Sequence, residues 1–235
     1  MKYVAFVFAR GGSKGVTRKN LRKIGGVSLV GRAVRQALAA DKISKVIIST
    51  DDPEIADEAV KFGAECPFIR PGFLAEDNSK EWEAWKYTVR QLRDQGEEFD
   101  VFVSVPATSP LRKPADINAA IELFESGHTE VVVTGKEAER NPYFNMVKRD
   151  GEGNVFLVCE SSVSRRQDVP VVYDMTTVAY VMRAQYILDH ESIWSEKTKL
   201  SVVPSDQAID IDTMSDLVCA RALYAENPKF YDDYL

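Results

Sequence analysis

The chain has 235 residues, 45% hydrophobic and 28% charged, the composition of an ordinary globular protein with ample length for a buried core. Its 30 basic and 36 acidic residues leave a formal charge of −6, which argues against a surface that coats nucleic acid but leaves room for one local basic site. Cys66, Cys159 and Cys219 are far apart, odd in number and without metal-site spacing, so neither a disulfide scaffold nor a cysteine metal site is expected. His128 and His190 are the only histidines. No apolar run approaches ~18 residues, and no membrane association is expected.

The start, MKYVAFVFARGG, reads as the first strand of a cytoplasmic protein rather than as a signal peptide. Its apolar run, Tyr3 to Ala9, suits a buried parallel strand. A helix follows from Ser28 to Ala40, then a strand from Lys45 to Thr50. Asp52-Pro53-Glu54 opens another helix, with Asp as N-cap and Pro in the first position, ending near Gly63. Cys66 to Ile69 is a short strand candidate. Ser79 to Arg93 reads as a helix whose Trp82, Trp85 and Val89 are spaced for the core. Asp100 to Val105, Pro114 to Glu125 and Glu130 to Thr134 continue the alternation as strand, helix and strand.

This rhythm predicts an α/β fold with a mostly parallel sheet. It changes after about residue 140, where Met146-Val147 and Val155 to Val158 flank a turn-rich Asp150 to Asn154 and predict a hairpin. Strands at Thr177 to Met182 and Leu200 to Val203 and a helix from Thr213 to Tyr224 close the chain. The expected organisation is one domain over residues 1–235 with an antiparallel insertion at about 140–175. The tail, Asn227 to Leu235, is expected to be surface-packed or frayed.

Two features carry chemistry. From Arg10 to Lys23 there are six basic residues and no acid, around Ala9-Arg10-Gly11-Gly12-Ser13-Lys14-Gly15. Glycines let backbone N–H groups approach an anion, and Arg and Lys neutralise it, so this loop at a strand end is a phosphate site or else a basic surface turn. It matches neither G-x-G-x-x-G nor G-x-x-x-x-G-K-[ST]. Near the C-terminus, Asp210 and Asp212 flank Ile211. In an extended segment they would share one side and suit Mg²⁺; otherwise Asp212 caps the last helix. Together the two features suggest phosphoryl or nucleotidyl transfer.

ARGGSKGVTRKN resembles the opening motif of the CMP-sialic acid synthetases, or acylneuraminate cytidylyltransferases. Arg70-Pro71 with Leu74-Ala75 and Asp77-Asn78-Ser79 is similar to that family's R-P-x-x-L-A-x-D-x-S segment. Thr108 to Arg112 resembles T-S-P-L-R, Arg165 to Asp168 resembles R-R-Q-D, and Asp210-Ile211-Asp212 its acidic metal motif. The resemblance implies a Rossmann-like nucleotidyltransferase fold. It also implies attack of a 2-keto-3-deoxy sugar acid's anomeric hydroxyl on the α-phosphorus of CTP, with loss of pyrophosphate. Arg10, Gly12, Ser13 and Lys14 would hold the triphosphate, with Asn20, Arg70 and Ser109 near the nucleotide. Arg10, Lys14 and Asp212 would act in catalysis, and Asp210 and Asp212 would bind Mg²⁺. Arg165, Gln167 and Tyr180 would lie at the sugar. The insertion resembles the family's dimerisation region, which implies a homodimer.

Two departures fall in the expected sugar pocket. The family's Q-P-T-S-P-L-R begins here with Pro106, and its N-G-A-I-Y reads Thr176-Thr177-Val178-Ala179-Tyr180. The acceptor is therefore expected to differ from N-acetylneuraminate, with legionaminate-like or pseudaminate-like sugars or an octulosonate as candidates. A related enzyme acting on a non-sugar acceptor and a non-catalytic nucleotide-binding homologue are the competing readings.

Overall fold

The computed structural model describes residues 1–76 and 78–234. The strands and helices are β1 (Tyr3–Phe8), β2 (Lys23–Ile24), β3 (Val27–Ser28), α1 (Leu29–Leu38), β4 (Ile43–Ser49), α2 (Pro53–Lys61), α3 (Glu81–Asp94), β5 (Val101–Ser104) and α4 (Pro114–Glu125). They continue with β6 (Val131–Glu137), β7 (Val147–Arg149), β8 (Val155–Leu157), β9 (Tyr173–Arg183), α5 (Ala184–Asp189), β10 (Thr198–Val202), α6 (Met214–Glu226) and α7 (Pro228–Tyr231). One six-stranded sheet runs in the order β10-β6-β9-β5-β1-β4. Every pairing is parallel except those of β9, which is antiparallel to both neighbours.

β1 is apolar on both faces because both faces are covered. Ala5 and Val7 pack with Val30, Val34 and Ala37 of α1 and with Ile117 and Ile121 of α4. Val4 and Phe6 pack on the other side with Trp82, Trp85 and Val89 of α3 and with Ile187 of α5. The tryptophans of α3 are thus core residues, as their spacing predicts. Asp52 caps α2 as expected, accepting from the N–H groups of Glu54 and Ile55.

β1, β5 and β10 run in one direction, so the loops after all three leave the same edge of the sheet. β4 lies on one side of β1 and β5 on the other, which opens a crevice at the carboxyl ends of β1 and β5. β9 bulges beside it. Val133 pairs with Tyr180 but Thr134 pairs with Thr176, leaving residues 177–179 without partners on β6. The Thr134 hydroxyl closes the bulge, accepting from the Ala179 N–H (3.1 Å) and the Thr176 hydroxyl (2.9 Å). Such a bulge re-aims side chains, here turning Thr177 toward the loop after β5.

Three expectations need revision. Cys66 to Ile69 is not a strand: a single bridge joins Ile47 and Glu65, and Pro67, lacking an N–H, ends the pairing. The Asp210 to Asp212 segment is not a strand either, because β10 ends at Val202, ahead of Pro204. The helix cap there is Thr213, in a reciprocal box with Asp216, rather than Asp212. The hairpin at 147–157 forms as β7 and β8, with Asp150 accepting from the N–H groups of Glu152 and Asn154 across the turn.

The described tail is packed down rather than frayed. Asp232 accepts from Arg32 (2.5 Å) and from the Tyr224 hydroxyl (2.6 Å), and Arg32 is only 1% exposed. Asp232→Ala would leave that guanidinium buried without its counter-charge, although Pro110 and Ile24 carbonyls still accept from it. We expect a loss of about 3 kcal/mol in urea unfolding, the low end for breaking a buried pair.

Candidate active site

The basic loop after β1 is built by acids behind it. Gly11 N–H donates to Asp51 (3.0 Å), and Arg18 donates to Asp52 (2.6 Å) and to Glu54. Buried Asn20 donates to the Arg10 carbonyl (2.9 Å), fixing the turn. A Cβ on Gly12 would enter open space, whereas one on Gly15 would overlap the Asp212 carbonyl oxygen. Gly15 is therefore what lets the basic loop touch the acidic segment.

The crevice has two compartments that share Phe8 and Arg10. One, about 270 Å³, is lined by Arg10, Ser13, Lys14, Gly15, Lys19, Asn20, Thr108 and Asp212. The other, about 290 Å³, is lined by residues that include Arg10, Arg70, Leu74, Ala75, Ser79 and Glu81. Each is near the lower bound for a small-molecule pocket, so a nucleoside triphosphate would occupy both. Arg10 spans them, donating to the Ala75 carbonyl (3.3 Å). A larger depression of about 570 Å³, between Lys2, Arg93 and Phe99, lies at the opposite end of the strands, away from every residue of the basic loop.

Arg70 is 4% exposed, with its guanidinium 5.9 Å from the Phe8 ring. Burial lowers its pKa, while Asp51 and Glu81 oppose the shift. Glu81 is open to the cleft yet ringed by protein, and that desolvation raises its pKa against the pull of Trp85 and Arg70. Desolvation also raises the pKa of Tyr180, with Glu81 and Asp210 adding to it.

The two C-terminal aspartates have unlike surroundings. Asp212 is exposed and ion-paired to Lys19 Nζ (3.1 Å), which also donates to the Ile211 carbonyl (2.7 Å). Asp210 is half-buried, and its Oδ1 is buried with no hydrogen-bond partner. A buried, unpartnered carboxylate oxygen beside a cationic cradle fits a hard divalent cation. Among the described residues no group of three or more His, Cys, Asp or Glu converges on one point. The protein alone would thus give such an ion few ligands, in keeping with Mg²⁺, which usually keeps waters and takes phosphate oxygens.

The crevice brings together Arg10, Ser13, Lys14, Asn20 and Asp212 in one compartment and Arg70 in the other, with Gly12 on the same loop. Ser109 is not on the wall: it is fully buried, bonded to the Thr177 hydroxyl at 2.7 Å, and Thr108 lines the cleft instead. Arg165 and Gln167 are exposed on the insertion, where Arg165 pairs with Asp168. Neither lines the crevice of its own chain. Asp77 lies outside the described residues. Phe8, Lys19 and Glu81 are cleft residues that motif reading passed over, although Lys19 sits within the basic run.

Gly15→Ala would push the loop and the Asp212 backbone apart. We expect calorimetric affinity for a nucleoside triphosphate with Mg²⁺ to fall at least ~10-fold while the fold persists.

A family model described as cytidylyltransferase matches residues 4–227. The chain is 32% identical over 221 residues to post-translational flagellin modification protein B of Campylobacter coli, covering 94% of each protein. It is 34% identical over 211 residues to the CMP-N,N'-diacetyllegionaminic acid synthase of Campylobacter jejuni, covering 89% of each. A solved CMP:2-keto-3-deoxy-manno-octonic acid synthetase complexed with CTP superposes with a TM-score of 0.69 at 18% identity, over 96% of this chain and 99% of that one. That last likeness shows the nucleotidyltransferase fold. A basic loop and an acidic segment meeting at the carboxyl edge of that fold, with the family match over nearly the whole chain, identify this protein as an enzyme of the cytidylyltransferase family.

Proposed function

We propose that this enzyme transfers CMP from CTP to a nine-carbon 2-keto-3-deoxy sugar acid and releases pyrophosphate. The observation that carries the reading is the two-part crevice joined at Arg10, cationic on one side and closed by Arg70 on the other. It is supported by relatives named as synthases of CMP-diacetyllegionaminic acid and as pseudaminic acid cytidylyltransferases.

In-line displacement at phosphorus needs positioning and charge neutralisation more than covalent help. Arg10, Lys14 and the open backbone at Gly12 and Ser13 hold the triphosphate and offset the charge that develops on the departing pyrophosphate. Lys19, beside Asp212, extends this positive field. Arg70 and the 72–75 turn hold the nucleoside end. Asp210 and Asp212 would hold Mg²⁺, which supplies further charge neutralisation when bound.

The acceptor is read as something other than N-acetylneuraminate. Pro106 offers no side-chain hydrogen bond, and Thr177 spends its hydroxyl on Ser109 and Thr108. In pyrophosphate-release assays with CTP and Mg²⁺, we expect legionaminate-like or pseudaminate-like acids to react faster than N-acetylneuraminate. Asp212→Ala should lower kcat by about 10²- to 10³-fold. Fastest turnover of N-acetylneuraminate would overturn the acceptor reading.

The insertion is read as a dimerisation arm that carries Arg165 and Gln167 into a partner's crevice. Val147, Val155, Phe156 and Val171 are each more than half exposed on or beside it, an apolar surface suited to a second copy. If sites are shared, mixing inactive Lys14→Ala and Arg165→Ala chains should restore up to about a quarter of wild-type activity, because half the random dimers carry one intact site. No recovery in exchanged mixtures would place Arg165 outside the site.

A further inference from the structure

The compartment of about 290 Å³ beside Arg70 sets donors and an acid around one space, with the Phe8 ring as a flat wall. Part of its polar lining is already engaged. Arg10 donates to the Ala75 carbonyl, and the Ser79 hydroxyl donates to the Phe73 carbonyl at 2.6 Å. Arg70 is only 4% exposed, and among the described residues nothing accepts from its buried Nε. Glu81 is the first residue of α3, and Trp85, one turn further along the same face, engages its carboxyl. An ionised carboxylate offers about four lone-pair sites, so Glu81 keeps acceptor capacity toward the compartment it lines. Glu76, the other acid of the lining, stands on an exposed bend.

This donor set decides which pyrimidine fits. Cytosine and uracil both present a carbonyl at O2, and a guanidinium only donates, so Arg70 cannot tell them apart there. The two bases differ at position 4, where cytosine carries an amino group that donates and uracil a carbonyl that only accepts. A carboxylate accepts from the cytosine amino group. Against uracil it would face a second set of lone pairs and be left desolvated without a partner, which is rejection as well as lost attraction. The Arg70 guanidinium favours the ionised form of Glu81 that this discrimination needs.

We propose that Glu81 selects the base, its carboxylate accepting from the 4-amino group of cytosine and excluding uracil. The inference rests on placing the nucleoside in this compartment and deepens that reading by naming the residue that separates CTP from UTP. Glu81 lies two residues beyond the Arg70 to Ser79 segment, outside every motif that the sequence offers.

The test is calorimetric binding of CTP and UTP to full-length enzyme with Mg²⁺ and without sugar. Wild-type enzyme should bind CTP at least ~10-fold more tightly than UTP. Glu81→Gln keeps the size of the side chain but adds an amide that can donate to the uracil carbonyl. It should cut the CTP:UTP affinity ratio about tenfold, with CTP weakened and UTP strengthened. Both nucleotides are measured on one preparation, so partial unfolding lowers the active fraction for both and leaves the ratio intact. If Glu81 only braces Arg70, both affinities fall together. A ratio unmoved by Glu81→Gln, or moved by Glu76→Gln instead, overturns base selection alone and leaves the CMP-transfer reading standing. No binding of either nucleotide by wild-type enzyme overturns the placement of the nucleoside, and base selection with it.

Discussion

The crevice hangs on one buried guanidinium. Arg112 is fully buried and donates to the carbonyls of Ser109 (2.8 Å), Val178 (2.7 Å) and Pro106. It thereby folds the loop after β5 back on itself and ties it to the bulge of β9. From that loop, the Thr108 carbonyl accepts from Ile211 N–H (2.8 Å), which places Asp210 and Asp212 on either side of a fixed backbone bond. Burial pushes the Arg112 pKa down to about 9, with Asp116 and Asp210 opposing the shift, so the group remains charged at neutral pH. A fork of rigid N–H donors suits three carbonyls at set angles in a way a lysine ammonium does not.

The surrounding electrostatics follow from a division of labour among acids. The chain is acidic overall, yet the compartment at the basic loop is cationic, lined by Arg10, Lys14 and Lys19 against Asp212 alone, because the acids behind that loop are turned to structural use. Asp51, Asp52 and Glu54 hold the basic loop from behind through Gly11 and Arg18. Arg10 and Lys14 line the compartment in front, where an anion would sit. Gly15 then brings this loop against Asp212. Opposite charges thus meet across a gap set by the absence of one methyl group.

Much of this was legible in the residues. Asp52-Pro53 announces a helix start, Pro114 to Glu125 is a helix over its whole expected span, and the glycine-rich basic run stands at a strand end. The illegible parts depend on tertiary geometry. Ser109 and Thr108 are adjacent in a motif, but only the bulge of β9 decides that Ser109 turns inward to Thr177. Apolar periodicity marks Trp85 as core, and it is core, yet periodicity does not show that it acts on the Glu81 carboxyl at the cleft. The pairing of Asp210 with Asp212 as neighbours in a strand failed because the segment is held by Thr108 and Lys19 rather than by a sheet.

The insertion extends the same reasoning to the surface. β9 runs from the core, where Val181 and Met182 are fully buried, out to Tyr173 and Met175, which are half exposed. One continuous strand therefore links the core at Tyr180, which lines neither compartment of the crevice, to the arm that carries Arg165. On the proposed reading this arrangement couples assembly to specificity. The residues proposed for the nucleotide all come from one chain, on loops pinned by Arg112 and Asp51. The residues read at the acceptor, Arg165 and Gln167, lie on an arm with an apolar face that favours burial. On that reading the phosphate chemistry stays constant while the acceptor changes, because Arg165 and Gln167 lie on an arm outside both compartments of their own chain.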